Sequence, residues 1–203
     1  MRTNRITDHA VIDALGRVPR EVFVPKQLRG VAYLDGDIDL GGGRHLMEPL
    51  VFAGLLQAAE IKPDDVVLDI GCATGYSSAV LARLASTVVA MESDNEWVVR
   101  AGTLLAGQGV DNVAVVSGSL PEGDPAHGPY QVIVIEGAVA RVPQALLDQL
   151  TDGGRLIAVV ATETGIGRVT VMTRIGTVFS SRVVFDATAH SLPEFHRKPS
   201  FVF

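Results

Sequence analysis

Residues 66–70, Val-Val-Leu-Asp-Ile, form a short run that is apolar on both sides of the backbone, as a strand covered on both faces requires. A small-residue turn, Gly71-Cys72-Ala73-Thr74-Gly75, follows, and Ala79, Val80, Leu81 and Leu84 then recur at helical spacing. A second β-branched run at 87–91 ends on Glu92. The pattern predicts a strand, a tight loop, a helix and a parallel strand, with a carboxylate at the tip of the second strand. Upstream, Thr7 or Asp8 can cap a helix whose apolar face is Ala10, Val11, Ala14, Leu15 and Val18, and Pro19 ends it. Pro49 suits the first turn of another helix, in which Leu50, Val51, Ala53, Leu55, Leu56, Ala58 and Ala59 would pack on the core. Downstream, 96–105 reads as a helix and 112–117 as a third strand. Residues 130–135 read as a buried strand with Glu136 and Gly137 at its carboxyl end, and 155–161 as a fifth strand. Residues 167–174 and 177–185 alternate like a hairpin turning near Ile175 and Gly176, with 201–203 as a candidate edge strand.

This order points to a nucleotide site. Glycines let a ligand approach the backbone, a helix N-terminus offers free N–H groups, and a carboxylate on the second strand can accept from both ribose hydroxyls. In open α/β sheets ligands bind at the carboxyl ends of the strands, so residues 71–75, Glu92, Ser119 and Glu136 should meet in one crevice. The dinucleotide pattern G-x-G-x-x-G would need glycines where Ala73 and Tyr76 stand, which disfavours a nicotinamide oxidoreductase.

Composition narrows the picture further. With 203 residues, 47% hydrophobic, the chain can bury one full α/β core but not two. A net charge of −6 and a pI near 5.3, without a basic stripe, argue against nucleic-acid or anionic-membrane partners. The single cysteine, Cys72, excludes an internal disulfide, and without a nearby base it reads as a small space-filling residue. No secretory leader or membrane-length apolar run is visible, so a cytoplasmic location is expected. No His or Cys pair has zinc-ligand spacing, so no metal is expected, and His190 with His196 reads as a solvated pair.

Two resemblances sharpen the reading. Asp69-x-Gly71-x-Ala73-x-Gly75 resembles the first motif of the Rossmann-like S-adenosylmethionine-dependent methyltransferases. Arg20-Glu21-x-Phe23-Val24-Pro25, then Ala32-Tyr33-x-Asp35, a glycine cluster at 41–43 and Pro49-x-x-x-Ala53, is similar to the protein-L-isoaspartate O-methyltransferase family. The similarity continues through Val142-Pro143 to Gly153-Gly154-Arg155-Leu156 and covers residues 20–160. It implies an α/β fold with a doubly wound, mostly parallel seven-stranded sheet, a small N-terminal helical cap and a C-terminal hairpin. One domain over 1–203 is expected, with 1–62 as cap and acceptor loop, 63–160 as cofactor core and 161–203 as hairpin and tail. The implied activity is methylation of isoaspartyl carboxylates in damaged proteins or peptides, releasing S-adenosylhomocysteine. The implied cofactor contacts are Asp69, Gly71, Cys72, Ala73, Thr74, Gly75, Glu92, Ser93, Ser119, Leu120 and Glu136, with Trp97 placed to border the adenine.

The chemistry needs no general base, because a carboxylate is already ionised at neutral pH. Positioning and exclusion of water are what the protein supplies. The acceptor loop departs from the family. Where the family has a pattern like Thr-Ile-Ser-Gln-Pro, this chain has His45-Leu46-Met47-Glu48-Pro49. A thioether is a weak acceptor without a proton to donate, and losing a hydrogen bond to a charged group costs about 1.5–3 kcal/mol. Arg44 or His45 is the candidate replacement cation, beside Met47 and Glu48, and simple solvation of the loop is the competing reading. Ser119-Leu120 stands where the family has Asp-Gly. Two alternatives therefore remain: a methyltransferase of the same lineage with another protein or small-molecule acceptor, and a cofactor-binding protein without catalysis.

Overall fold

The computed structural model describes residues 6–163 and 165–195. The chain opens with helix α1 (His9–Arg17), where the Asp8 carboxylate accepts from the Ala10 and Val11 N–H groups at 2.8 and 3.2 Å. That satisfies donors a helix start otherwise leaves bare. Two 3-10 turns, Arg20–Phe23 and Lys26–Val31, lead to an antiparallel pair, β1 (Ile38–Gly41) and β2 (Arg44–Leu46), where the glycine cluster predicts only a loop. Helix α2 (Pro49–Ala59) buries Val51, Phe52, Leu55, Leu56 and Ala59. Leu50, expected in the core, is 47% exposed, because that i, i+4 set turns the second helical residue outward.

The central unit forms as the apolar runs require. It comprises β3 (Val66–Ile70), α3 (Tyr76–Leu81), β4 (Thr87–Glu92), α4 (Asn95–Gly107) and β5 (Val113–Ser117). Beyond it lie β6 (Tyr130–Val139), α5 (Gln144–Leu147), β7 (Leu150–Val160), β8 (Gly167–Ile175) and β9 (Val178–Ala187). The seven-stranded sheet runs β5-β4-β3-β6-β7-β8-β9; β3 pairs in parallel with both β4 and β6, while β8 and β9 add antiparallel. Strand order reverses beside β3, where such sheets leave a crevice. Alternate residues serve opposite faces: Val67, Val88, Val132 and Val134 join the core under α1 to α4, and Leu68, Val89, Ile133 and Ile135 join the core under α5.

Strand β6 differs from expectation. Instead of ending at residue 135 it continues to Val139, with a register irregularity between Val134 and Ala138. The extension exists because it gains a partner: the Ala138 N–H donates to the His190 carbonyl at 2.8 Å, and the Leu192 N–H donates to the Ala138 carbonyl at 3.0 Å. The chain after β9 thus returns across the carboxyl ends of the strands. His196 and the candidate strand at 201–203 lie outside the described residues.

Candidate active site

The shape of the loop between β3 and α3 is set by backbone geometry. Gly71 and Gly75 have φ of +80° and +86°, and Ala73 sits at +47°, a left-handed conformation that costs a side-chain-bearing residue about 1 kcal/mol or more. The glycine missing from position 73 in the sequence thus reappears as strain at that position. The Gly71 N–H donates to the Met91 carbonyl at 2.9 Å, and the Ala73 N–H donates to Glu92 Oε1 at 2.8 Å, tying the loop to the tip of β4.

Asp69 is buried at the end of β3 and accepts from the Ser77 and Ser78 hydroxyls at 2.7 and 2.6 Å, clamping α3 to the strand. Burial pushes its pKa up to about 6 against the pull of those two hydroxyls, with the neighbouring Glu92 adding to the rise. The unfolded value is about 3.9, so between the two values the native state binds more protons. Its contribution to stability is whole below about pH 4 and is lost as pH rises through about 6. Asp69→Asn, which does not titrate, is expected to flatten the decline in urea midpoint across that window; an unaltered pH slope in the variant would count against this.

Glu92 is wholly buried, and its carboxylate is taken by Arg44 from β2. Arg44 Nε donates to Oε1 and Oε2 at 2.9 and 3.1 Å, and Nη2 donates to Oε2 at 2.8 Å, while the Ser93 N–H reaches Oε2 at 3.1 Å. On its outer side the guanidinium meets Glu194, with Nη2 to Oε1 at 2.6 Å and Nη1 to Oε2 at 3.2 Å. The Ser93 hydroxyl donates to the same Oε1 at 2.6 Å. Burial works against the Glu194 carboxylate, yet the hydrogen bonds from Arg44 and Ser93 leave its pKa below the usual range. Sequence reading put Arg44 on the acceptor loop; the structure brings its side chain into the crevice, onto the expected ribose acceptor.

Several polar atoms near the carboxyl ends of β3 and β6 are buried. Among the described residues, Thr74 Oγ1, Asp69 Oδ1, Glu136 Oε1 and Arg20 Nη1 are buried polar atoms without a hydrogen-bond partner, and an unmade bond in such a place costs about 1–3 kcal/mol. Burial, with Asp69 beside it, raises the Glu136 pKa well above the carboxylate range. Burial likewise raises the Cys72 thiol, consistent with a space-filling role. Leu120 is fully buried, while Ser119 is exposed in a turn where its carbonyl accepts from the Glu122 and Gly123 N–H groups. Trp97 packs against the glycine cluster, its Nε1 standing 3.4 Å from where a Cβ on Gly42 would lie.

In the acceptor loop Met47 is buried, and its carbonyl accepts from Arg20 Nη2 at 2.6 Å. The Glu48 N–H donates to Asp37 Oδ1 at 2.7 Å, and burial with Asp35 and Asp37 nearby raises the Glu48 pKa. His45 stacks on His190 with ring centroids 3.8 Å apart, and burial and that neighbour lower its pKa. His190 also holds Asp37 Oδ2 through its ring Nδ1 at 2.8 Å. The stack and the Glu194 contact were invisible in the sequence, since their partners are 150 or so residues apart. Among the described residues no group of three or more His, Cys, Asp or Glu could hold a metal ion, and no helix is long and apolar enough to cross a membrane.

A family model described as protein-L-isoaspartate(D-aspartate) O-methyltransferase matches residues 1–184. This chain belongs to that family. A Methanoculleus marisnigri protein-L-isoaspartate O-methyltransferase is 40% identical over 158 residues, spanning 78% of this chain and 72% of the relative. One from Gloeobacter violaceus is 38% identical over 174 residues, spanning 86% and 85%. A Plasmodium falciparum beta-aspartate methyltransferase solved in complex with S-adenosyl-L-homocysteine superimposes with a TM-score of 0.80 over 93% of this chain and 92% of that one; at 18% identity it speaks for the fold. S-Adenosylmethionine is the methyl donor of the family. The crevice floor fits such a group: a loop that carries no side chain at Gly71, a carboxylate at the tip of β4, and buried polar atoms at Thr74, Asp69 and Glu136 that lack partners among the described residues.

Proposed function

We propose that the chain catalyses carboxyl O-methylation of L-isoaspartyl residues in damaged proteins, with S-adenosylmethionine held over the 71–75 loop. The observation that carries this reading is Glu92, buried at the tip of β4 and joined to the Ala73 N–H at the switch point of a family-typical sheet. When bound, the sulfonium supplies an electrophilic methyl group. Glu92 would hold the ribose hydroxyls, and the 71–75 loop would lie against the amino-acid part with Thr74 Oγ1, which has no partner among the described residues, as a polar contact. Ser93, Ser119 and Leu120 would border the adenine, and Glu136 and Asp69 would meet the ammonium end. The chain's remaining task is to orient a carboxylate for in-line attack and keep water away, which is worth about 7–11 kcal/mol when geometry is held.

A second reading rests on the acceptor loop. Met47 is buried, and the mouth carries Asp35, Asp37 and Glu48, which oppose an anionic acceptor. That favours a methyltransferase of the same lineage with a different acceptor. The test is transfer of labelled methyl to two peptides identical except for an isoaspartyl or aspartyl linkage, counted as base-labile ester. Label on the isoaspartyl peptide alone is the expected result. No label on either, from protein that binds S-adenosylhomocysteine in calorimetry, would overturn the isoaspartyl assignment and move it to the second reading.

A further inference from the structure

The crevice is filled by the chain's own residues. Glu92, the expected ribose acceptor, receives Arg44 on both oxygens, in addition to the Ala73 and Ser93 N–H groups. A carboxylate offers about four acceptor sites, so little is left for hydroxyls. Over the loop lies Leu192, itself buried. Its two methyl groups stand 3.2 Å from where a Cβ on Gly71 would be, and its Cγ stands 2.8 Å from the same point on Gly137. The two positions where absent side chains leave room for a ligand are therefore covered by one isobutyl group.

The segment that carries Leu192 is tied down at each end. At 190 its N–H and ring Nδ1 reach Asp37 Oδ2 at 3.1 and 2.8 Å, and the ring stacks on His45. In the middle it pairs with Ala138 on β6. At Pro193 it rests on Gly43, 3.0 Å from where that residue's Cβ would lie, and at Glu194 it grips Arg44 and Ser93.

We infer that residues 190–194, with Arg44, form a built-in lid that occupies the cofactor's place and withdraws when S-adenosylmethionine or S-adenosylhomocysteine enters. Arg44 and the ribose compete for Glu92, and Leu192 competes for the space above Gly71. The inference rests on the reading of this crevice as the cofactor site. Its consequence is that the intrinsic affinity is multiplied by the fraction of molecules whose lid is open, so loosening the lid tightens binding.

The experiment is calorimetric titration of S-adenosylhomocysteine into the wild-type chain, Leu192→Ala and Glu194→Gln, with amide exchange of residues 188–195 followed with and without ligand. Both variants are expected to bind about tenfold more tightly than wild type, since one apolar contact or one charge-assisted hydrogen bond is removed from the closed state alone. Wild-type amides at 190 and 192 are expected to lose protection when ligand is added. Equal affinity in all three proteins, or protection that stays the same or rises with ligand, would overturn the lid while leaving the cofactor site intact. No binding by any of the three would overturn the cofactor site and the lid together.

Discussion

Glu92→Ala is expected to lower the unfolding free energy by about 3 kcal/mol and the melting temperature by about 6–12 °C, while abolishing measurable S-adenosylhomocysteine binding. The stability loss comes from what remains. Arg44, with a side chain only 4% exposed, would keep Glu194 but face an empty space where it had made its innermost hydrogen bonds, and the Ala73 and Ser93 N–H groups would lose their acceptor. Removing one partner of a buried pair leaves the other charge unpaired, whereas replacing both with apolar groups of similar volume restores much of the loss. Arg44→Met combined with Glu92→Leu is accordingly expected to melt above Glu92→Ala alone. Thermal melts followed by circular dichroism decide the point: a single variant that melts with the wild type would remove the pair from the account of stability.

Arg20→Leu is the second large effect, again about 3 kcal/mol, with a rise in KM for peptide in the methyl-transfer assay. Arg20 is 1% exposed, and its Nε donates to the Ala32 carbonyl at 2.7 Å while Nη2 donates to the Met47 carbonyl. Its guanidinium carbon lies 4.8 Å from the centre of the Tyr76 ring. One side chain thus joins the two 3-10 turns, the acceptor loop and the first turn of α3. Burial lowers its pKa from the free value, so the charge is held at a cost that the two carbonyls and the ring offset only in part. Leucine would leave both carbonyls unpaired, at about 1–3 kcal/mol each before the loop relaxes. Urea unfolding at constant slope reads the loss, and an unchanged midpoint would show that the loop is held without Arg20.

How much of this was legible in the sequence depended on how far apart the partners lie. Strands β3 and β4 and the turn between them were read because their signals are local: an apolar run, a small-residue turn, and a carboxylate at the next strand's tip. Asp8 as a cap and the turn of the β8–β9 hairpin were legible for the same reason. The β1–β2 pair was not, because three consecutive glycines read as loop, and strands of four and three residues are held by what they pack against rather than by propensity. The Arg44–Glu92 pair spans 48 residues and the Arg44–Glu194 pair 150, distances over which no periodicity reports. Leu192 stands as a lone aliphatic residue among polar and aromatic neighbours in 190–195, so nothing local marked it as a residue that would be buried. The family resemblance implied a crevice floor residue by residue but gave no hint of what lies above it.

The 150-residue span between Arg44 and Glu194 has a consequence for how the molecule assembles. A contact that long in sequence must bear its loop-closure entropy before it returns anything, so it does not help to nucleate the fold. The β3–β4 unit and the strands that pair with it can collapse on neighbours close in the chain. The Arg44, Glu92 and Glu194 cluster is therefore expected to close after the sheet, in a molecule whose two distant parts have already found each other.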